Sequence, residues 1–181
     1  MKKIILFTLL LTSLYSDSKI YIGANYGYFD EQFIDPLADA LSSSQTVSIK
    51  IGYGHREAYA VEFIIERSEN ESKIFSNKDE AKYSINMALI KSFDFGIYIN
   101  PFIKAGFGAG TLKIDRELQD RLDFGSFNLG FGAYVPINEY FDLELGYGYK
   151  FISYQSVDYV AAKIPYESNV NTLYVGFNVR F

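Results

Sequence analysis

Residues 171–181 read NTLYVGFNVRF and alternate without a fault. Leu173, Val175, Phe177, Val179 and Phe181 share one face; Thr172, Tyr174, Gly176, Asn178 and Arg180 share the other. A period of two residues is that of a strand with one apolar and one polar side. The alternation runs to Phe181, the last residue of the sequence. Chain ends fray in water, and a large aromatic is poorly placed there. At the rim of a closed barrel immersed in lipid, the same ring has a medium to enter.

The pattern recurs upstream over about 19–28, 45–53, 58–67, 81–91, 96–112, 124–135 and 140–153, which predicts eight strands. The connections between them alternate in length. Residues 29–44, 68–79, 113–123 and 154–168 are long and polar, whereas 54–57, 92–95 and 136–139 are short. This sorting suits an up-and-down barrel with turns at one end and loops at the other. An even strand count places both termini at the turn end. Within the loops, Asp35-Pro36 resembles a helix start, so 36–41 is expected to hold one or two helical turns. Leu118 and Leu122, four apart, suggest another. Pro101 inside the fifth strand predicts a bulge or weak pairing.

The two faces of these strands differ in kind. One is aliphatic and aromatic and almost free of charge. The other carries glycine at positions 23, 27, 52, 106, 108, 110, 130, 132, 146, 148 and 176. It also carries Lys50, Glu62, Glu66, Lys82, Lys104, Asp142, Glu144, Lys150 and Arg180. Small residues fit the concave side of a narrow barrel, and charges of both signs can pair inside it. The apolar face is therefore expected to meet lipid. A secreted barrel with a greasy cavity, as in lipocalins, would have to crowd every aromatic into one small cavity and leave the glycines in water.

Composition agrees. The 181 residues suit one domain, and aromatics make up 18%, with 16 Tyr, 16 Phe and no Trp. A net charge of -5 leaves no basic footprint for nucleic acid. There is no Cys, which removes disulfides, thiolate metal sites and Cys-linked lipid. Lys2 and Lys3 precede an apolar run from Ile4 to Leu11, interrupted by Thr8. The run is too short to span a bilayer as a helix and reads as a signal peptide, residues 1–18, cleaved between Ser16 and Lys19 ahead of a barrel of residues 19–181.

The run from Asn128 to Val135, the turn from Pro136 to Glu139 and the run from Phe141 to Tyr149 resemble the penultimate hairpin of small eight-stranded outer-membrane barrels of the OmpA/OmpX and opacity types. Pro101 to Gly110 is similar to their fifth strand. Val175, Phe177, Val179 and Phe181 look like the C-terminal signal that the barrel-assembly machinery reads. The resemblance implies an all-β, antiparallel transmembrane barrel in a Gram-negative-type outer membrane, with both termini periplasmic. Its implied partners are the bilayer and lipopolysaccharide, with the assembly machinery and periplasmic chaperones during biogenesis. No peptidoglycan-binding domain follows the barrel, so a cell-wall tether is not implied.

Candidate chemistry is sparse. His55, the single histidine, falls in a short turn beside Arg56 and Glu57. Lipid-modifying barrels resembling lipid A deacylase or outer-membrane phospholipase set a His beside a Ser and a polar third member; His55 reads instead as a solvated turn residue. Glu62, Glu66, Asp142 and Glu144 read as lumen partners of the lysines and Arg180 rather than as an acid/base pair. Gly106, Gly108 and Gly110 lack the strand-to-helix setting of a dinucleotide loop. Asp30, Glu31, Asp35 and Asp39 form an acidic loop that does not match a calcium-binding pattern. Eight strands enclose only enough room for their own side chains. The sequence thus points to a structural or surface-interaction role through four long loops, presenting surface to an extracellular or host ligand. No catalytic, cofactor or metal residues are expected. The alternatives are a lipid-modifying enzyme and a narrow ion channel.

Overall fold

The computed structural model describes residues 18–34, 40–69, 81–114, 121–159, 162–164 and 166–181. Ten strands form among them: β1 (Lys19–Ile34), β2 (Ala40–Gly54), β3 (Tyr59–Ser68), β4 (Lys82–Ser92), β5 (Asn100–Lys113), β6 (Arg121–Pro136), β7 (Phe141–Tyr154), β8 (Val157–Tyr159), β9 (Ala162–Ile164) and β10 (Glu167–Arg180). Eight close into an antiparallel barrel in the order β1-β10-β7-β6-β5-β4-β3-β2, while β8 and β9 pair as a separate ribbon between β7 and β10.

The register can be followed right round the wall. From Tyr21 it passes through Gly52, Glu62, Ala88, Gly106, Asn128, Lys150 and Val170 and returns to β1 at Glu31. That stagger of about ten residues over eight strands tilts them by roughly 40° and gives a radius of roughly 8 Å. A lumen this narrow explains the inward glycines. Tyr21 lies across its paired Gly52, Tyr174 across Gly146, Phe102 across Gly132 and Phe124 across Gly110; a Cβ at any of these glycines would run into the ring.

The outward face is apolar along the middle of every barrel strand, with Phe107 71%, Leu173 69% and Ile85 63% exposed. An apolar surface of this extent is unsuited to water. Toward the loop end the pattern inverts. Phe29, Phe33, Leu112, Leu122, Phe124, Ile152, Tyr154 and Val170 point inward and are buried. Asp30, Gln32, Lys113, Arg121, Asp123, Ser153 and Glu167 point outward and are exposed. The ribbon therefore leaves an apolar medium and enters water while its pairing continues, up to Phe33↔Ala40 and Ile34↔Glu167.

That continuation corrects several expectations. Most of 29–44 is strand, since β1 runs on to Ile34 and β2 begins at Ala40. The helical turn placed at 36–41 fails where it can be compared, because Ala40 and Leu41 belong to β2; Asp35 to Asp39 lie outside the described residues. Leu122 belongs to β6, not to a helical turn, and Leu118 lies outside the described residues. Residues 1–17, which hold most of the expected signal peptide, also lie outside them. Pro101 makes no bulge: the register with β6 runs through Pro101↔Ala133, and on the β4 side the ladder stops at Ser92↔Phe102. The proline sits where an absent N–H interrupts no inner ladder.

At the turn end, His55 N–H donates to Tyr59 O at 2.9 Å, closing the β2–β3 hairpin behind Gly54, whose φ of 151° admits no Cβ without a clash against Tyr59 O and Ala60. In the β6–β7 turn, Asn138 Oδ1 accepts from the N–H groups of Tyr140 and Phe141 at 2.8 and 2.9 Å. The β4–β5 turn is longer than the sequence suggested. Asp94 Oδ1 accepts from Gly96 N–H at 2.8 Å, and Gly96 has a φ of 67°. This bend keeps residues 96–99 out of the strand, which starts at Asn100.

Candidate functional site

The barrel gathers its charged side chains into tiers along the axis. Four strands contribute to the central one. Lys50 from β2 contacts Glu144 from β7 and lies 3.4 Å from Glu62 of β3. Lys104 from β5 donates to Glu62 at 2.8 Å and to Glu144 at 3.3 Å. Each carboxylate thus has both lysines. Tyr21 OH completes Glu62 at 2.9 Å, and Tyr174 OH and Asn178 Nδ2 complete Glu144 at 2.9 and 3.2 Å. Buried charges are tolerated when paired and hydrogen-bonded in this way.

Toward the loops, Lys150 pairs with Glu66. Above them Lys82 pairs with Glu31, which also accepts from Tyr154 OH at 2.8 Å and Ser168 Oγ at 2.7 Å. Toward the turns, Arg180 pairs with Asp142 and stacks 4.6 Å from the Tyr21 ring. Asp142 also meets Arg56 at 3.1 Å, and Arg56 ties the two turns by donating to the carbonyls of Asn138 and Glu139 at 3.2 and 2.8 Å. The nine charges singled out in the sequence all lie on the inward face. Two charged members of the network were not recognised there: Glu31, read as part of an acidic loop, and Arg56, read as a turn residue. Asp30 and Glu31 point to opposite faces, Asp30 outward to Ser43 Oγ at 2.5 Å, so they do not form a joint cation site.

Apolar clusters close both ends of this lumen. Tyr21, Ala60, Ile90, Phe102 and Tyr134 form one at the turn end, with the Phe102 and Tyr134 rings 4.7 Å apart. The loop end holds a larger one built around Phe29, Phe33, Phe124 and Tyr154. Between them lies a cavity of about 100 Å³, lined by Asn25, Asn86, Asn128, Thr172, Glu66 and Lys104 among others. The buried Oδ1 atoms of Asn25 and Asn128 have no protein hydrogen-bond partner, and the cavity has room for a few waters that could donate to them.

His55 stands outside this network. Its Nδ1 accepts from Glu57 N–H at 3.1 Å, and it shares a small cavity at the turn end with Lys19, Arg56, Glu57 and Arg180. Among the described residues, no serine or threonine lines that cavity. Val175, Phe177 and Phe181 face outward and are exposed; Val179 is half-buried on the same side, and Phe181 N–H donates to Ile20 O at 2.9 Å.

An apolar outer belt around a charged, plugged lumen is the build of a barrel that spans a membrane. Residues 6–181 match the family model described as the outer membrane protein beta-barrel domain. The chain belongs to this family. Among solved structures, Neisserial surface protein A is similar at 19% identity and a TM-score of 0.62, over 90% of this chain and 97% of that one. Ail, the attachment invasion locus protein of Yersinia pestis, is similar at 16% identity and a TM-score of 0.54, over 89% and 98%. OprG of Pseudomonas aeruginosa is similar at 12% identity and a TM-score of 0.51, over 91% and 96%. No curated protein sequence matches the chain. Membership of the outer membrane barrel family places the protein in the outer membrane of a Gram-negative bacterium, with its apolar belt in the bilayer.

Proposed function

We propose that this outer-membrane barrel works as a surface-interaction module, with the loop end outside the cell and both termini in the periplasm. One observation carries the reading: the inversion of polarity at the loop end. The barrel wall continues beyond the lipid belt by about four residues per strand, or roughly 10 Å at this tilt. Its core there is apolar and its outside is wet. A rigid stump of this kind holds connections clear of the lipopolysaccharide-bearing leaflet, where a ligand can reach them. Two similar structures, a Neisserial surface protein and the attachment invasion locus protein, agree by name with this reading.

Two other readings have less support. A lipid-modifying enzyme of that kind needs a hydroxyl nucleophile beside His55, and among the described residues that turn-end cavity offers none. A channel needs a continuous polar path, and the lumen is crossed by two apolar clusters and the central ion-pair tier. The outward C-terminal residues Val175, Phe177, Val179 and Phe181 fit a role as the signal for the assembly machinery, and residues 1–18 a role as a signal peptide that precedes the barrel.

The test is attachment. Cells displaying the intact barrel are compared with cells in which residues 155–166 are replaced by a short Gly-Ser linker, on immobilised serum and matrix proteins and on host cells. Loss of attachment with unchanged heat-modifiable migration supports the module. Equal attachment of both, at equal surface density, refutes it.

A further inference from the structure

At the turn end, two of the three hairpin turns are tied together by Arg56, and the third stands apart. The β4–β5 turn, residues 93–99, reads FDFGIYI. Phe95 is 66% exposed, Tyr98 67% and Ile97 59%, with Ile99 exposed beside them. Phe93 and Phe95 stack with their rings 6.1 Å apart and 7° from parallel. No other element of the described chain covers these side chains. Five of the seven residues are apolar or aromatic, whereas the β2–β3 turn reads His55-Arg56-Glu57-Ala58. Such a patch does not persist in water without a partner.

We propose that this turn is a lipid-binding hook, inserted sideways into the headgroup-to-acyl boundary of the periplasmic leaflet. The occupant follows from continuity with the lipid belt. The outward residues of β4 run from Tyr83 through Ile85, Met87 and Leu89 to Lys91, and Phe93 and Phe95 extend the same row. Tyr83 marks the outer edge of the belt, since its register partner Arg67 is a charged side chain half exposed on the same outward face. Ten residues on, at the observed tilt, Phe93 lies roughly 25 Å lower, which is the height of the apolar band of such barrels. The turn therefore reaches the inner boundary rather than the periplasm.

Charge is placed to match. Lys91 Nζ sits 4.3 Å from the Tyr59 ring centre and 5.7 Å from that of Phe93. Its stem lies on aromatics and its ammonium is held at the level of phospholipid phosphates, where a cation is favoured. Asp94 is turned back onto Gly96 N–H, so its carboxylate stays at the polar edge. A soluble partner or a second copy of the chain has no comparable claim on a surface continuous with the lipid face.

The absence of tryptophan from the sequence makes the test direct. Phe95→Trp introduces a single indole into the full-length barrel, which is reconstituted in phosphatidylcholine–phosphatidylglycerol vesicles. Gln32→Trp, outward beyond the belt, is the aqueous reference, and Phe107→Trp is the mid-belt one. The hook predicts emission to the blue of Gln32→Trp, quenching by lipids brominated near the headgroup, and shielding from iodide by roughly three-fold or more. Emission and iodide quenching equal to Gln32→Trp overturn the proposal. So does shielding that disappears on dilution into excess lipid, which marks contact between copies. Heat-modifiable migration reports folding of each variant, and Tyr98→Trp replaces Phe95→Trp if the latter does not fold.

Discussion

Tyr21 and Gly52 face each other across the β1–β2 ladder, and the phenol ring occupies the space that a Gly52 side chain would need. From there Tyr21 OH reaches Glu62 at 2.9 Å, so one glycine seats both an aromatic and a lumen carboxylate. Gly52→Val is expected to displace the ring and weaken the barrel by about 1–3 kcal/mol, the usual range for an overpacked core. Tyr21→Phe keeps the ring and loses only the hydrogen bond, about 1 kcal/mol. Urea unfolding in detergent micelles, followed by gel migration, measures both. Equal stability of Gly52→Val and the parent sinks the account.

The central tier makes a larger demand. Glu144 accepts from Lys50, Lys104, Tyr174 and Asn178, and its loss leaves two lysines on Glu62 alone. Glu144→Leu is expected to cost about 3–5 kcal/mol, because an unpaired buried charge remains. Arg67 and Glu69, 3.5 Å apart and half exposed at the surface, supply the contrast. Arg67→Ala is expected to change stability by about 0.5 kcal/mol or less. Thermal midpoints of the migration shift compare the two. Similar losses in both variants would show that the tier does not hold the barrel.

The strands of the membrane belt were legible because lipid outside and glycine and charge inside give two faces of opposite kind. Beyond the belt the alternation persists but its sense reverses. Phe29, Glu31 and Phe33 turn inward while Asp30 and Gln32 turn outward. A reading anchored on apolar-out takes this as the end of the strand, and so it assigned Glu31 to a loop. The period itself was the surviving signal: Phe29 and Phe33 keep the parity of Tyr21. Arg56 had no such trace, since its contact with Asp142 depends on two turns meeting in space. The β4–β5 turn was misplaced because Ile97 and Ile99 alternate like a strand, while the bend that excludes them rests on one side-chain hydrogen bond and one glycine φ.

The inversion gives a positional test of where lipid ends. Met87 and Gln32 both point outward, one in mid-belt and one beyond it. Met87→Lys is expected to destabilise the folded barrel in bilayers by about 2–4 kcal/mol, whereas Gln32→Lys is expected to be nearly neutral. Folding equilibria in vesicles, titrated with guanidinium, decide it. Comparable costs at the two sites would place lipid against Gln32 and remove the protruding stump.

Conductance probes the lumen. Ions crossing it must pass the loop-end cluster, the paired tiers and the turn-end cluster in series, and opening one leaves the others shut. The parent barrel is therefore expected to show no steady current above the bilayer baseline in planar membranes, even at high salt. Phe102→Ala thins the turn-end cluster by removing the ring that packs 4.7 Å from Tyr134. It leaves Lys104 bridging Glu62 and Glu144 above, so it too is expected to stay silent. A current that appears in Phe102→Ala alone would mean that the ion-pair tier yields to passing ions and that Phe102 was the barrier. A steady current in the parent would revive the channel reading outright.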